Sequence, residues 1–182
     1  MIDVIHRRAG DLHSLIVRLL DVAGARSGHI RLRRQRFDLA AVARSAVDSA
    51  VDRRPPVTVD LNTPAEVMID GDAERVRDAV DELLRNALTW APDDSVVGVT
   101  VHADPHTAVL AVSNTGARVP AEEHARIFDL FYRTPDTHQQ GIPGHGLGLT
   151  LARAIVEQHG GAITVSEPDE AATTFTVRLP AR

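Results

Sequence analysis

Apolar and polar positions alternate along this chain with two different periods, and the changes of period divide it into elements. Residues 2–25 carry Ile5, Leu12, Ile16, Leu19, Leu20 and Val22 at helical spacing, which predicts an amphipathic helix that Gly24 and Gly28 bring to an end. Strict alternation over 29–33 then predicts a short strand. Asp38 stands as the cap of a second helix, whose apolar side holds Leu39, Val42, Ala43 and Val47. Pro55 and Pro56 separate that helix from an alternating strand at 57–61, and a further strand at 66–69 precedes a turn at Asp70, Gly71 and Asp72. The longest helical pattern covers Ala73–Trp90, with Val76, Val80, Leu83, Leu84, Ala87 and Leu88 on one side. It stops before Ala91-Pro92, because a residue preceding proline is pushed out of the helical region. Strands at 95–103 and 108–113 flank a turn at Asp104-Pro105. Pro120 opens a short helix through Ile127, and a glycine- and proline-containing loop occupies 134–145. A helix at 147–159 ends on Gly160-Gly161, and strands at 162–166 and 173–179 close the chain. Helices alternating with strand pairs predict an α/β fold, a two-layer sandwich over a mixed sheet.

Composition narrows the chemistry more than the fold. Apolar residues make up 43% of the 182 positions but aromatics only 3%, so the core rests on Val, Leu, Ile and Ala. With no cysteine, disulfides and thiolate metal sites are excluded. All 20 basic residues are arginine, which removes lysine-based phosphate binding and Schiff-base chemistry. Residues 1–54 carry 11 Arg against 6 Asp, while the rest has a balance of −10. That acidic main body argues against nucleic-acid binding. The cluster Arg31, Arg33, Arg34 and Arg36 reads as a solvated face. No run approaches the roughly 20 apolar residues of a membrane span, and the N-terminal residues are too polar for a secretory signal. A cytoplasmic protein is the expectation.

Three features could carry function. Gly144-His145-Gly146-Leu147-Gly148-Leu149 runs straight into a helix, so backbone amides and the helix dipole could hold phosphate, although helix entry alone also explains such a run. Glu82 and Asn86 lie one turn apart on one helix face, where hard oxygen donors could share Mg²⁺ with nucleotide phosphates; a solvent-facing polar stripe is the plain alternative. Asn114-Thr115-Gly116 at a strand end is either a turn or a fixed hydrogen-bonding group at the sheet edge.

In this order and spacing the three features resemble the ATP-binding catalytic domain of two-component sensor histidine kinases, within the gyrase, Hsp90, histidine kinase and MutL superfamily. Residues 82–90 resemble its N box, Asn114–Gly116 with Val119-Pro120 its first glycine box, 127–133 its F box, and 144–149 its second. The run GHGLGLTLARAIVEQHGG is specific to these kinases, and the resemblance covers about 38–182. It implies a Bergerat-type ATP-binding fold, with ATP and Mg²⁺ as cofactors. Asn86 would coordinate the metal, and Asn114 would meet adenine, with Gly116 allowing close approach and Thr174 assisting. Residues 131–144, including Phe131 and Tyr132, would form a lid. Gly144, His145, Gly146, Leu147, Gly148 and Leu149 would contact phosphate, and Arg133 would reach the γ-phosphate. Glu82 stands where these kinases often have Asn and where hydrolysing relatives have a water-activating glutamate. Three more positions depart from the pattern: Asn114 replaces the usual Asp, Arg118 a glycine, and Thr89 a common Lys or His.

Residues 1–28 resemble part of the dimerisation hairpin, on the motif at 19–23, leaving 29–182 as the ATP-binding domain. Neither His6 nor His13 has the acidic neighbour and downstream proline of a phosphoacceptor. The implied partners are therefore a phosphoacceptor histidine domain elsewhere and a response regulator, with the chain as a kinase fragment or half of a split kinase. An anti-sigma-factor-type serine kinase and a non-catalytic ATP-binding sensor or scaffold stay open as alternatives.

Overall fold

The computed structural model describes residues 16, 19–20, 22–24, 32–50, 56–116, 118–134, 145–167 and 172–181. Three helices can be followed through them: α1 (Leu39–Ala50), α2 (Ala73–Trp90) and α3 (Gly148–Gln158). Seven strands accompany them: β1 (Gln35–Asp38), β2 (Thr58–Asn62), β3 (Met68–Gly71), β4 (Val96–Asp104), β5 (Thr107–Asn114), β6 (Ala162–Ser166) and β7 (Thr173–Pro180). Five strands form one sheet in the order β2-β4-β5-β7-β6, parallel at β2–β4 and antiparallel elsewhere, so the sheet is mixed as predicted. A separate antiparallel ribbon joins β1 to β3.

The layers follow from side-chain alternation. Val97, Val99 and Val101 of β4, Ala108, Leu110 and Val112 of β5, and Phe175, Val177 and Leu179 of β7 are buried. Because strand side chains alternate between faces, these nine lie on one side of the sheet. They pack into one cluster with Leu39, Ala43 and Val47 of α1, Val76, Leu83 and Leu84 of α2, and Leu151 and Ile155 of α3. Thr100, His102 and Arg178 on the other face are exposed. The fold is thus a helix layer on a sheet, with almost no aromatic contribution beyond Phe37, Phe128 and Phe175.

The starts of α1 and α2 are set by aspartates. Asp38 accepts from the N–H groups of Ala40 (2.9 Å) and Ala41 (3.0 Å), capping α1 as expected. Asp72 caps α2 by accepting from Arg75 N–H at 3.2 Å, and it also takes Arg33 N–H at 2.9 Å. Behind it, the ring of His159 at the end of α3 is buried. Its Nε2 accepts from Asp72 N–H at 2.9 Å, and Nδ1–H donates to the Ile155 carbonyl at 2.8 Å. One neutral imidazole thus ties the end of α3 to the start of α2.

Three expected elements differ. Of the strand expected at 29–33, residues 29–31 lie outside the described residues; the strand seen is Gln35–Asp38, where pairing with β3 buries Phe37 opposite Ile69, while Arg33 N–H turns to Asp72. The strand expected at 66–69 is Met68–Gly71, so Gly71 belongs to the ribbon and Asp72 is the cap. The helix expected from Pro120 to Ile127 is two 3₁₀ turns, Ala121–Glu123 and Arg126–Phe128. Only Ile127 and Phe128 are buried there, too narrow a stripe to hold a continuous α-helix. Of the helix expected at 2–25, residues 16, 19, 20 and 22–24 are helical; His6, His13 and the remainder lie outside the described residues. No helix among the described residues is long and apolar enough to cross a membrane.

Candidate functional site

Two close approaches tie the sequence-chosen residues to α2: Gly148, at the start of α3, abuts Glu82, and Gly116, just beyond Asn114, abuts the Trp90 carbonyl. Glu82 sits on the inner side of α2 and is buried, with its Oε2 accepting from Arg85 Nη1 at 2.6 Å. A Cβ placed on Gly148 would lie 2.5 Å from that same oxygen, so the carboxylate presses against the start of α3. A helix N-terminus favours negative charge, which makes this a stable seat for the carboxylate. No side chain caps α3, so its first-turn amides are left to other partners. Asn86 follows one turn later on α2 and is half-buried. Thr89 is exposed and donates its hydroxyl to the Arg85 carbonyl at 2.7 Å, a bond that ties it to its own helix.

Asn114 ends β5 and is 2% exposed, and its Nδ2 has no hydrogen-bond partner among the described residues. A buried amide donor left unpaired costs about 1–3 kcal/mol, which marks the position as one that needs explaining. Gly116 explains the tightness of the turn beyond it. A Cβ there would lie 1.7 Å from the Trp90 carbonyl oxygen and 2.9 Å from Asn114 Nδ2. Only glycine lets the loop pass under the end of α2.

Thr173 stands directly across from Asn114 in the β5–β7 register and is buried on the same face. Thr174, the residue chosen from the sequence, lies on the opposite face of the strand from Asn114. The correction follows from strand parity: Thr173 and Phe175 are both buried beneath the helices, so the residue between them points away. Thr173, not singled out from the sequence, is the threonine on the face of Asn114. The signal for it was the two-residue spacing to Phe175 and Val177, whose apolar side chains had to face the core.

The F box is locked to the second glycine box. Phe128 is buried edge-on against Phe175, with ring centroids 6.4 Å apart, and the Arg153 guanidinium lies 5.7 Å over its ring. Thr150 donates to the Asp129 carbonyl at 3.1 Å, and Phe131 N–H donates to Gly146 O at 3.1 Å. Gly146 has φ +66°, and a Cβ on it would lie 2.6 Å from the Tyr132 carbonyl oxygen. Both features require glycine. Phe131 itself has φ +60° and an exposed ring, a strained conformation for an aromatic residue. Tyr132 donates its hydroxyl to Glu123, and Arg126 sits 4.5 Å over its ring, so its polar end is occupied within the loop. Arg133 follows half-buried. Of the glycine run, His145 is exposed, Leu147 is buried and Leu149 half-buried, so the two leucines serve the core; Gly144 lies outside the described residues.

Arg118 stands where the resemblance expects a glycine. Its Nη2 donates to Glu167 Oε2 at 2.9 Å, bridging the loop after β5 to the end of β6. That hydrogen bond from Arg118 holds the Glu167 carboxyl below its ordinary pKa.

Known proteins are similar to this chain in sequence and fold. The family model described as histidine kinase-, DNA gyrase B-, and HSP90-like ATPase matches residues 71–182. The signal transduction histidine-protein kinase/phosphatase MprB of Mycobacterium sp. (strain KMS) is 33% identical over 177 residues, covering 94% of this chain and 33% of that protein. The adaptive-response sensory kinase SasA of Synechococcus sp. (strain CC9311) is 34% identical over 183 residues, covering 98% and 47%. The chain thus spans between a third and a half of these two relatives. Among solved structures, the mycobacterial sensor histidine kinase MprB superposes with a TM-score of 0.74 at 28% identity, over 82% of this chain and 98% of that one. Full-length ShkA in complex with AMPPNP shares the fold, with a TM-score of 0.83 at 24% identity, over 96% of this chain and 37% of that one. From the boxes, the mixed sheet under its helix layer and these matches, it follows that the chain belongs to the histidine kinase-, DNA gyrase B- and HSP90-like ATPase family.

Proposed function

We propose that this chain is the ATP–Mg²⁺-binding catalytic domain of a two-component histidine kinase, which phosphorylates a histidine on a separate or adjoining domain for relay to a response regulator. Residues 29–182 are read as that domain and 1–28 as part of a dimerisation helix. The observation that carries the reading is the buried, unpartnered amide of Asn114, set beside a glycine that admits no side chain.

The residues fit the nucleotide. Asn114 and Thr173 would meet the base, and the α3 amides from Gly148 onward would meet phosphate, with Gly146 keeping the approach narrow. Among the described residues no cluster of three His, Asp or Glu could hold a metal. Asn86 would therefore hold Mg²⁺ jointly with phosphate oxygens, and when bound the ion neutralises phosphate charge. Arg133 would supply the cationic contact that no lysine can give. Glu82, pinned by Arg85, supports the start of α3, and a water-activating role would require it to leave that pair.

The test is incubation with γ-labelled ATP, alone and with a histidine-bearing dimerisation domain. Acid-labile, alkali-stable label on the partner is the expected result. Acid-stable label would indicate serine transfer instead, and ATP binding without transfer a sensor.

A further inference from the structure

Resting on the reading of this site as a nucleotide site, we propose that its base pocket does not require a 6-amino group, and that it takes 6-oxopurine triphosphates (GTP and ITP) alongside ATP.

The argument begins with what an amide can do that a carboxylate cannot. A carboxylate at the end of β5 would be an acceptor only and would demand a donor from the base. The 6-amino group of adenine supplies one, whereas the 6-oxo group of guanine or hypoxanthine would set acceptor against acceptor. Asn114 carries a donor and an acceptor in one plane, and a half-turn of the amide exchanges them. Among the described residues its Nδ2 is buried and bonded to nothing. A ligand acceptor would relieve that donor, and O6 of a 6-oxopurine and N1 of adenine both qualify. With the amide turned, its oxygen accepts from the adenine amino group.

The surroundings do not impose one choice. Gly116 lies beside the Nδ2 edge, where even a Cβ would come within 2.9 Å, so no side chain there competes for the amide. Thr173, opposite in register and buried on the same face, carries a hydroxyl that both donates and accepts. The group that decides the match to the base is thus the Asn114 amide, whose Nδ2 awaits an acceptor.

Calorimetric titration of the chain with the Mg²⁺ complexes of ATP, GTP, ITP and purine riboside triphosphate, which has no 6-substituent, tests this by binding alone. GTP and ITP are expected to bind within about threefold of ATP, since the amide satisfies either edge. Asn114→Asp should restore selection, weakening GTP and ITP relative to ATP by about tenfold to a hundredfold, the cost of a buried acceptor facing an acceptor. A preference of tenfold or more for ATP over both 6-oxopurines in the unaltered chain overturns the proposal, whether or not the variant folds. Tight ATP binding with that preference leaves the nucleotide site standing, whereas binding of none of the four overturns the site reading and this inference together.

Discussion

At Gly116 a single missing Cβ decides whether the base loop can pass beneath α2. A methyl group there would lie 1.7 Å from the Trp90 carbonyl oxygen, so backbone would have to move. Gly116→Ala is expected to destabilise the domain by about 3 kcal/mol, the upper range for overpacking, read from the urea midpoint at unchanged slope. His159 makes the corresponding prediction for pH. Burial disfavours its charged form, and Arg34 adds to this; together they outweigh the Ile155 carbonyl and Asp72 and hold its pKa below the ordinary 6.5. The folded state therefore binds fewer protons than the unfolded one in that range. Its stabilising contribution is complete above about pH 6.5 and is lost as pH falls toward the lower folded value, by up to about 1.4 kcal/mol per pH unit. The Asp72 carboxyl is held below its own ordinary value. Burial alone would raise its pKa, but the N–H groups of Arg33, Arg75 and Glu74, with His159, outweigh that, so its share is lost only below about 3.8. Chemical denaturation between pH 7.5 and 5.5 should show the slope, and His159→Gln should flatten it.

Among the elements, α2 does the most. Its inner face builds the core while its second half brings Glu82, Asn86 and the Trp90 carbonyl to the site. The loop after β5 is then fastened by Arg118 to Glu167. Removing this partly exposed pair with Arg118→Ala should cost less than about 1 kcal/mol, and the Glu167 carboxyl should titrate closer to an ordinary glutamate, measurable by carbon-detected NMR. Local periodicity made α2 legible residue for residue, because eighteen positions with a single apolar side leave little freedom. β1 at 35–38 was not foreseen because it depends on pairing with β3, some thirty residues later, which local alternation does not report. The exchange of Thr173 for Thr174 has the same origin, since neighbouring threonines look alike until strand parity assigns each a face.

Across the whole molecule, the helix layer is tied together by contacts far apart in sequence, such as His159 to Asp72, 87 positions away, which no local pattern announces. The boxes were legible because each is a short run with its own constraint: glycine at a forbidden Cβ, asparagine at a strand end, phenylalanine in the core. The boxes lie on different elements, so a ligand bridging them should stabilise the domain as a unit. Mg²⁺–ATP at 100 times its Kd is expected to add about 2.7 kcal/mol, visible as a rise in Tm. The central claim is that the nucleotide is held at Asn114 and its metal at Asn86. The chain has only three asparagines, Asn62, Asn86 and Asn114, so their side-chain amides can be followed individually in a nitrogen-correlated NMR spectrum as Mg²⁺–AMPPNP is added. The account predicts that the Asn114 and Asn86 amide pairs shift in a saturable way while Asn62, on β2, stays in place. Saturable binding that leaves both Asn114 and Asn86 unmoved would contradict it.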